Sequence, residues 1–137
     1  MYFVLTYCGP KAWFGDPFES LEDEELDSII KEIKNHQGNV LSIHHSGADA
    51  MAFAHLFESM CDTYFAGDME AAFVDFRTYL YAFRLEILPQ LEQIRKLPLA
   101  QREHAVDDFL TKLARARREY QADLLEQFNQ GNTSSTP

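Results

Sequence analysis

Apolar residues fall into helical stripes over most of this chain, with short strand-like runs before the second helix. Leu26, Ile29, Ile30 and Ile33 recur at i, i+3, i+4 and i+7, one face of an amphipathic helix. Ser20, with Asp23 three residues on, reads as its capping box, and Gly38 as its stop. Glu22, Asp23, Glu24 and Glu25 fill its first turns, where carboxylates favour the positive end of the helix dipole. Ser46 and Asp49 open a second helix that buries Phe53, Phe57, Met60, Cys61 and Tyr64 and ends near Gly67. Asp68 caps a third, in which Met69, Phe73, Phe76, Leu80, Phe83 and Ile87 alternate in steps of four and three, the seam of a helix packed lengthwise on another. Pro89 is expected to kink this helix, because it removes a hydrogen bond to the preceding turn. Leu91, Ile94 and Leu97 continue the seam beyond it. Pro98 suits the start of a last helix with the stripe Val106, Phe109, Leu110, Leu113, Ala116, Tyr120, Leu124 and Phe128, and Gly131 is its expected stop.

Residues 2–8 are rich in β-branched and aromatic types and stop at Gly9-Pro10, which predicts a short strand; Gly9 to Pro17 reads as a loop carrying Trp13 and Phe14. Val40, Leu41 and Ile43 predict a second strand, and strand–helix–strand predicts a parallel pair with a right-handed crossover. The expected fold is mainly α: a helical bundle with a long antiparallel C-terminal helix hairpin (69–97 against 99–130), plus a small two-stranded β element from residues 2–8 and 39–44. A single domain is expected over 1–131, with a polar disordered tail at 132–137.

Charge adds a second pattern. Residues 1–75 hold fourteen carboxylates against Lys11, Lys31 and Lys34, and no Lys or Arg occurs in the 42 residues from Asn35 to Phe76. A net charge of −10 argues against direct binding to nucleic acid or an anionic membrane, and favours a basic partner. No apolar run approaches the ~20 residues of a membrane span, and the first residues do not resemble a secretory signal, so a cytoplasmic, reducing setting is expected.

Candidate chemistry is sparse. Gly-x-Gly-x-x-Gly, Walker, Gly-x-Ser-x-Gly and His-Glu-x-x-His motifs are all absent, and no enzyme activity is expected. His36, His44, His45 and His55 share the base-free window, and His55, Glu58 and Asp62 share one helix face. His44, His45, His55 and Glu58 are the residues from which a zinc or iron site would be built. The same side chains also fit a solvated face opposite Phe53 and Phe57, so no metal or other cofactor is expected. Cys61, mid-helix on the apolar side and in acidic surroundings, reads as a buried structural thiol. Lys112, Arg115, Arg117 and Arg118 interleave with Glu119, Asp123 and Glu126, as a paired solvated face or as a contact across a homodimer.

These features favour a small acidic protein-binding module of the inhibitor, immunity or anti-defence type. It would occlude a basic surface of a partner, for instance a nucleic-acid-binding protein, in the manner of a DNA mimic. The expected contact residues are Glu22, Asp23, Glu25, Asp27, Glu32, Glu58 and Asp62, with Trp13 and Phe14 as aromatic anchors. Asp49, Asp68, Glu70 and Asp75 extend the acidic face. Two alternatives stand beside it. Phe57 to Phe73, with its Ala66-Gly67 turn, resembles the helix hairpin of anti-sigma regulators of the sigma-D type over under a fifth of the chain, which implies a transcription or signalling regulator that sequesters a partner. The predicted strand–helix–strand departs from that family. The other alternative is a metal-binding helical protein using His44, His45 and His55.

Overall fold

The computed structural model describes residues 2–9, 12–35 and 40–134, the side chains of 7–17 and 131–134 excepted. Its elements are β1 (Tyr2–Gly9), β2 (Ala12–Phe18), α1 (Asp23–Asn35), β3 (Val40–His44), α2 (Gly47–Tyr64), α3 (Met69–Ala82), α4 (Ile87–Arg95) and α5 (Leu99–Ser134). The fold is mainly helical, as expected, and β1 and β3 pair as the two predicted strands.

Two features of the sheet depart from expectation. The segment read as a loop forms a third strand: Ala12–Phe18 pairs antiparallel with β1, and the order is β2-β1-β3. Trp13 and Phe14 therefore belong to a strand, their backbones opposite Tyr7 and Thr6. Gly15 and Pro17 read as loop residues, but an edge strand tolerates a proline that cannot donate to the ladder. The second departure follows from the first. The β1–β2 hairpin reverses the chain before α1, so β3 meets β1 antiparallel, with Phe3 opposite His44 and Val4 opposite Ile43. The strand–helix–strand unit is β2–α1–β3, with β1 between its strands.

The start of α1 is also built differently from its expected capping box. Ser20 Oγ accepts from the Glu22 amide (3.3 Å), and the carboxylate that reaches back to the Glu19 and Ser20 amides (3.0 and 2.6 Å) is that of Glu25, not Asp23. Leu26, Ile29, Ile30 and Ile33 are all buried. The expected stop at Gly38 lies outside the described residues. Ser46 and Asp68 cap α2 and α3 as predicted, accepting from the Asp49 and Ala71 amides.

The seam of the third predicted helix breaks earlier than Pro89. Leu80 C=O accepts from the Leu85 amide and Tyr81 C=O from the Arg84 amide, a Schellman stop with Arg84 left-handed at φ +56°. Pro89 is then the third residue of α4, where a helical amide has no partner to lose. The break turns Phe83 out of the seam, to 57% exposure. At the other end α5 continues through Gly131 to Ser134. Its 36 residues span about 54 Å at 1.5 Å per residue.

The α3–α4 segment returns along α5 as the expected antiparallel hairpin: Asp75 and Tyr79 meet Tyr120, and Arg95 and Leu97 meet Arg102. Helix α2 runs alongside α5 in the same direction, from the His45–Asp107 contact to Tyr64–Phe128. Phe53, Phe57, Phe76 and Tyr120 knit the three helices, their rings 4.9–6.1 Å apart. Edge and tilted contacts at this spacing add to the burial of the rings themselves.

Arg102 fastens the N-terminal half to this bundle. Its buried guanidinium donates to the carbonyls of Leu21 (2.8 Å), Arg95 (2.9 Å) and Leu97 (3.0 Å) and pairs with Asp23 (2.7 Å). Arg102→Leu strands three carbonyls away from a donor and is expected to cost about 3 kcal/mol. Urea unfolding measures it, and Arg102→Lys should recover only part, because one ammonium cannot reproduce the fork.

Candidate functional site

The residues expected to form one acidic face divide between two parts of the molecule. On α1, which packs on β2 and α4, Asp23, Glu25 and Asp27 are engaged within the chain. Asp27 takes two hydrogen bonds from Arg95 (2.7 and 3.3 Å), Asp23 pairs with Arg95 (3.3 Å) and Arg102, and Glu25 caps backbone amides. The Arg95 hydrogen bond holds the Asp27 carboxyl below its usual range. Glu22 and Glu32 are exposed.

The base-free window gives the other group. From Val40 onward it forms β3, α2, the turn and the first half of α3, with α2 packed on the sheet and on α5. Glu58 is half-buried; Asp62, Asp68, Glu70 and Asp75 are exposed. Asp75 also accepts from the Tyr120 hydroxyl (2.7 Å), and burial together with that carboxylate pushes the Tyr120 pKa well up. Around the start of α3 a shallow groove of about 500 Å³ is lined by Phe65, Asp68, Glu70, Ala71, Val74 and Asp75. The side chains of Trp13 and Phe14 lie outside the described residues.

The histidines do not converge. His45 is exposed, 3.8 Å from the Asp107 carboxylate; His55 is exposed on α2; His36 lies outside the described residues. Among the described residues no group of three or more His, Cys, Asp or Glu side chains could hold a metal ion. Cys61 is buried, and burial, then Asp62, Asp68 and Glu58, pushes its thiol pKa up.

His44 instead belongs to a polar cluster that sequence reading did not assemble. Strand β3 bulges at Leu41, since Leu5 pairs with Ser42 and Thr6 with Val40. Beyond the bulge Ser42 and His44 stand at i, i+2 on one face of the strand. Ser42 Oγ lies 2.5 Å from His44 Nε2, and His44 Nδ1 lies 2.7 Å from Asp49 Oδ2 in the first turn of α2. Asp49 can only accept, so Nδ1 carries the proton, and Nε2 accepts from the serine hydroxyl. Burial, opposed by the Asp49 hydrogen bond and assisted by Arg117 and His45, lowers the His44 pKa. This is the connectivity of a hydrolytic Ser–His–Asp relay. Ser42, however, is fully buried and does not line the adjoining cavity. The cluster acts as a clamp that fixes Asp49 and the entry of α2.

Beyond the clamp lies a cavity of about 290 Å³ whose walls include His44, Asp49, Phe53, Leu56, Arg117 and Arg118. The Arg117 guanidinium lies over the Phe53 ring, 5.0 Å from its centroid. Arg117 Nη1 is the one buried side-chain nitrogen or oxygen without a hydrogen-bond partner among the described residues. Arg117 was read as part of a solvated basic run. A signal was present: Val106, Leu110, Leu113, Arg117, Tyr120 and Leu124 repeat in steps of four and three, which puts an arginine at a core position.

Two measurements check this electrostatic picture. Unfolded, His44 takes up its proton near pH 6.5; folded, it does so at lower pH. Its contribution to stability is therefore complete above about pH 6.5 and is lost as the pH falls below that value towards the folded pKa. The urea midpoint should fall on acidification through this window, and the fall should be smaller in His44→Gln. Cys61 should react with a thiol reagent in native protein far more slowly than in urea; equal rates would contradict its burial. Compared with protein-family models, curated proteins and solved structures, the chain matches none.

Proposed function

We propose that this chain is a protein-binding module whose α2–α3 hairpin covers a basic surface of a partner protein. The observation that carries the reading is the groove at the start of α3. There Asp68, Glu70 and Asp75 border the apolar surface of Phe65, Ala71 and Val74, the last 51% exposed. A lysine or arginine of a partner fits such a surface twice over, its stem on the apolar floor and its head among carboxylates. Asp62 and Glu58, one turn apart on α2, extend the negative potential. The α1 acids contribute less, because Arg95 and Arg102 already answer Asp23 and Asp27. Acids along a helix face lie about 6 Å apart at Cβ, close to the spacing of successive phosphates, so a partner that itself binds nucleic acid suits this face.

Partner capture on immobilised protein at low salt, followed by kinetics with the purified partner, tests the reading. Asp62→Lys with Glu70→Lys should lower the association rate by about tenfold, and salt should do the same. Glu22→Lys with Glu32→Lys should do less. Duplex DNA should compete if the covered surface is a nucleic-acid site. A partner whose binding ignores both salt and the α2–α3 reversals would sink the proposal.

A further inference from the structure

The cavity between the start of α2 and the middle of α5 has the parts of a ligand site, and it is independent of the acidic hairpin. Arg117 stands where the α5 seam calls for an apolar residue. Its guanidinium is stacked on Phe53, and Nη1 is buried without an acceptor. Taking a cationic donor out of water and leaving a hydrogen bond unmade is unfavourable, and a methionine or leucine would continue the seam without that cost. Asp49, on the same wall, makes no hydrogen bond to Nη1; its Oδ2 accepts from His44. Burial works against the Arg117 charge, and Asp49 only partly offsets it. No group on these walls supplies the missing acceptor.

The walls specify its chemistry. A guanidinium edge presents parallel donors that match a planar carboxylate. His44, clamped as the neutral tautomer, adds no positive charge, and the Asp49 carboxylate opposes a second negative charge on the ligand. Phe53 and Leu56 offer apolar surface, and 290 Å³ is the room of about ten waters. We propose that this cavity binds a small organic monocarboxylate. Its carboxylate pairs with the cavity-facing edge of the Arg117 guanidinium, Arg118 stands at the rim, and its apolar body rests on Phe53 and Leu56.

Titration of ¹⁵N-labelled protein with sodium propionate and sodium benzoate, with sodium chloride and inorganic phosphate as controls at matched ionic strength, tests the proposal. At least one carboxylate should produce saturable shifts in the amides of Phe53, Ala114 and Arg117 at concentrations below about 20 mM, and phosphate should bind at least about tenfold more weakly. Arg117→Gln should weaken carboxylate binding by about tenfold or more, with the far-UV spectrum unchanged. Ala114→Leu, which fills the cavity and keeps the guanidinium, should do the same and decides the matter if the first variant does not fold. Absence of saturation with both carboxylates, phosphate binding as tightly, or wild-type affinity in either folded variant would overturn it.

Discussion

One guanidinium joins the halves of this molecule. Arg102 sits at the start of α5, where the chain has just turned out of α4, and its donors are divided between that turn and the entry to α1. The Arg95 carbonyl belongs to the last turn of α4, which leaves it without a helical partner, and Leu97 to the turn that follows; Leu21 lies two residues before α1 begins. A side chain that answers all three, and also holds Asp23, fixes the angle between the N-terminal unit and the bundle. Arg95 repeats the logic one turn away, its guanidinium clasping Asp23 and Asp27. The positions of α1, α4 and the start of α5 are therefore one problem with one solution. Much of the α1 charge that looked available to a partner is spent on it.

The helical architecture was legible because its signals are local and redundant. The stripes of α1, α2 and α5, and the caps at Ser46 and Asp68, rest on periodicity and hydrogen bonds within a few residues. Local information fails where tertiary context decides. The Gly15–Pro17 stretch looks like a turn and is an edge strand, because a single hydrogen-bonded side suffices there. Once β2 is missed, the orientation of β3 against β1 is wrong too, since the hairpin reverses the chain before the crossover through α1. The break at Arg84 was displaced to Pro89 for a similar reason: proline is a visible signal, but a left-handed arginine stabilised by two carbonyl contacts is not.

The candidate site was less legible than the fold. Ser42, His44 and Asp49 come from a strand and the helix after it, and only the bulge and the α2 cap bring them together. Their spacing says nothing distinctive. Arg117 was visible as a seam position, yet neighbouring Arg115 and Arg118 made it look like part of a charged face. Composition reports how much charge a chain carries, and only packing shows which charges are already answered. Here it sets Asp23 and Asp27 of α1 against arginines and leaves Asp62, Asp68 and Glu70 of the α2–α3 hairpin exposed.

The central place of β1 has a kinetic consequence. It precedes both of its partners in the chain, and they reach it by very different routes. Pairing with β2 joins segments that are near neighbours in sequence; pairing with β3 has to bridge the whole of α1. The bond from Arg102 to Leu21 spans 81 residues, so it forms later still. Loop closure grows costlier with separation, and the order of assembly is thereby set: hairpin, then sheet, then latch. On the ribosome all three strands emerge well before the arginine at the beginning of α5 that holds the Leu21 carbonyl.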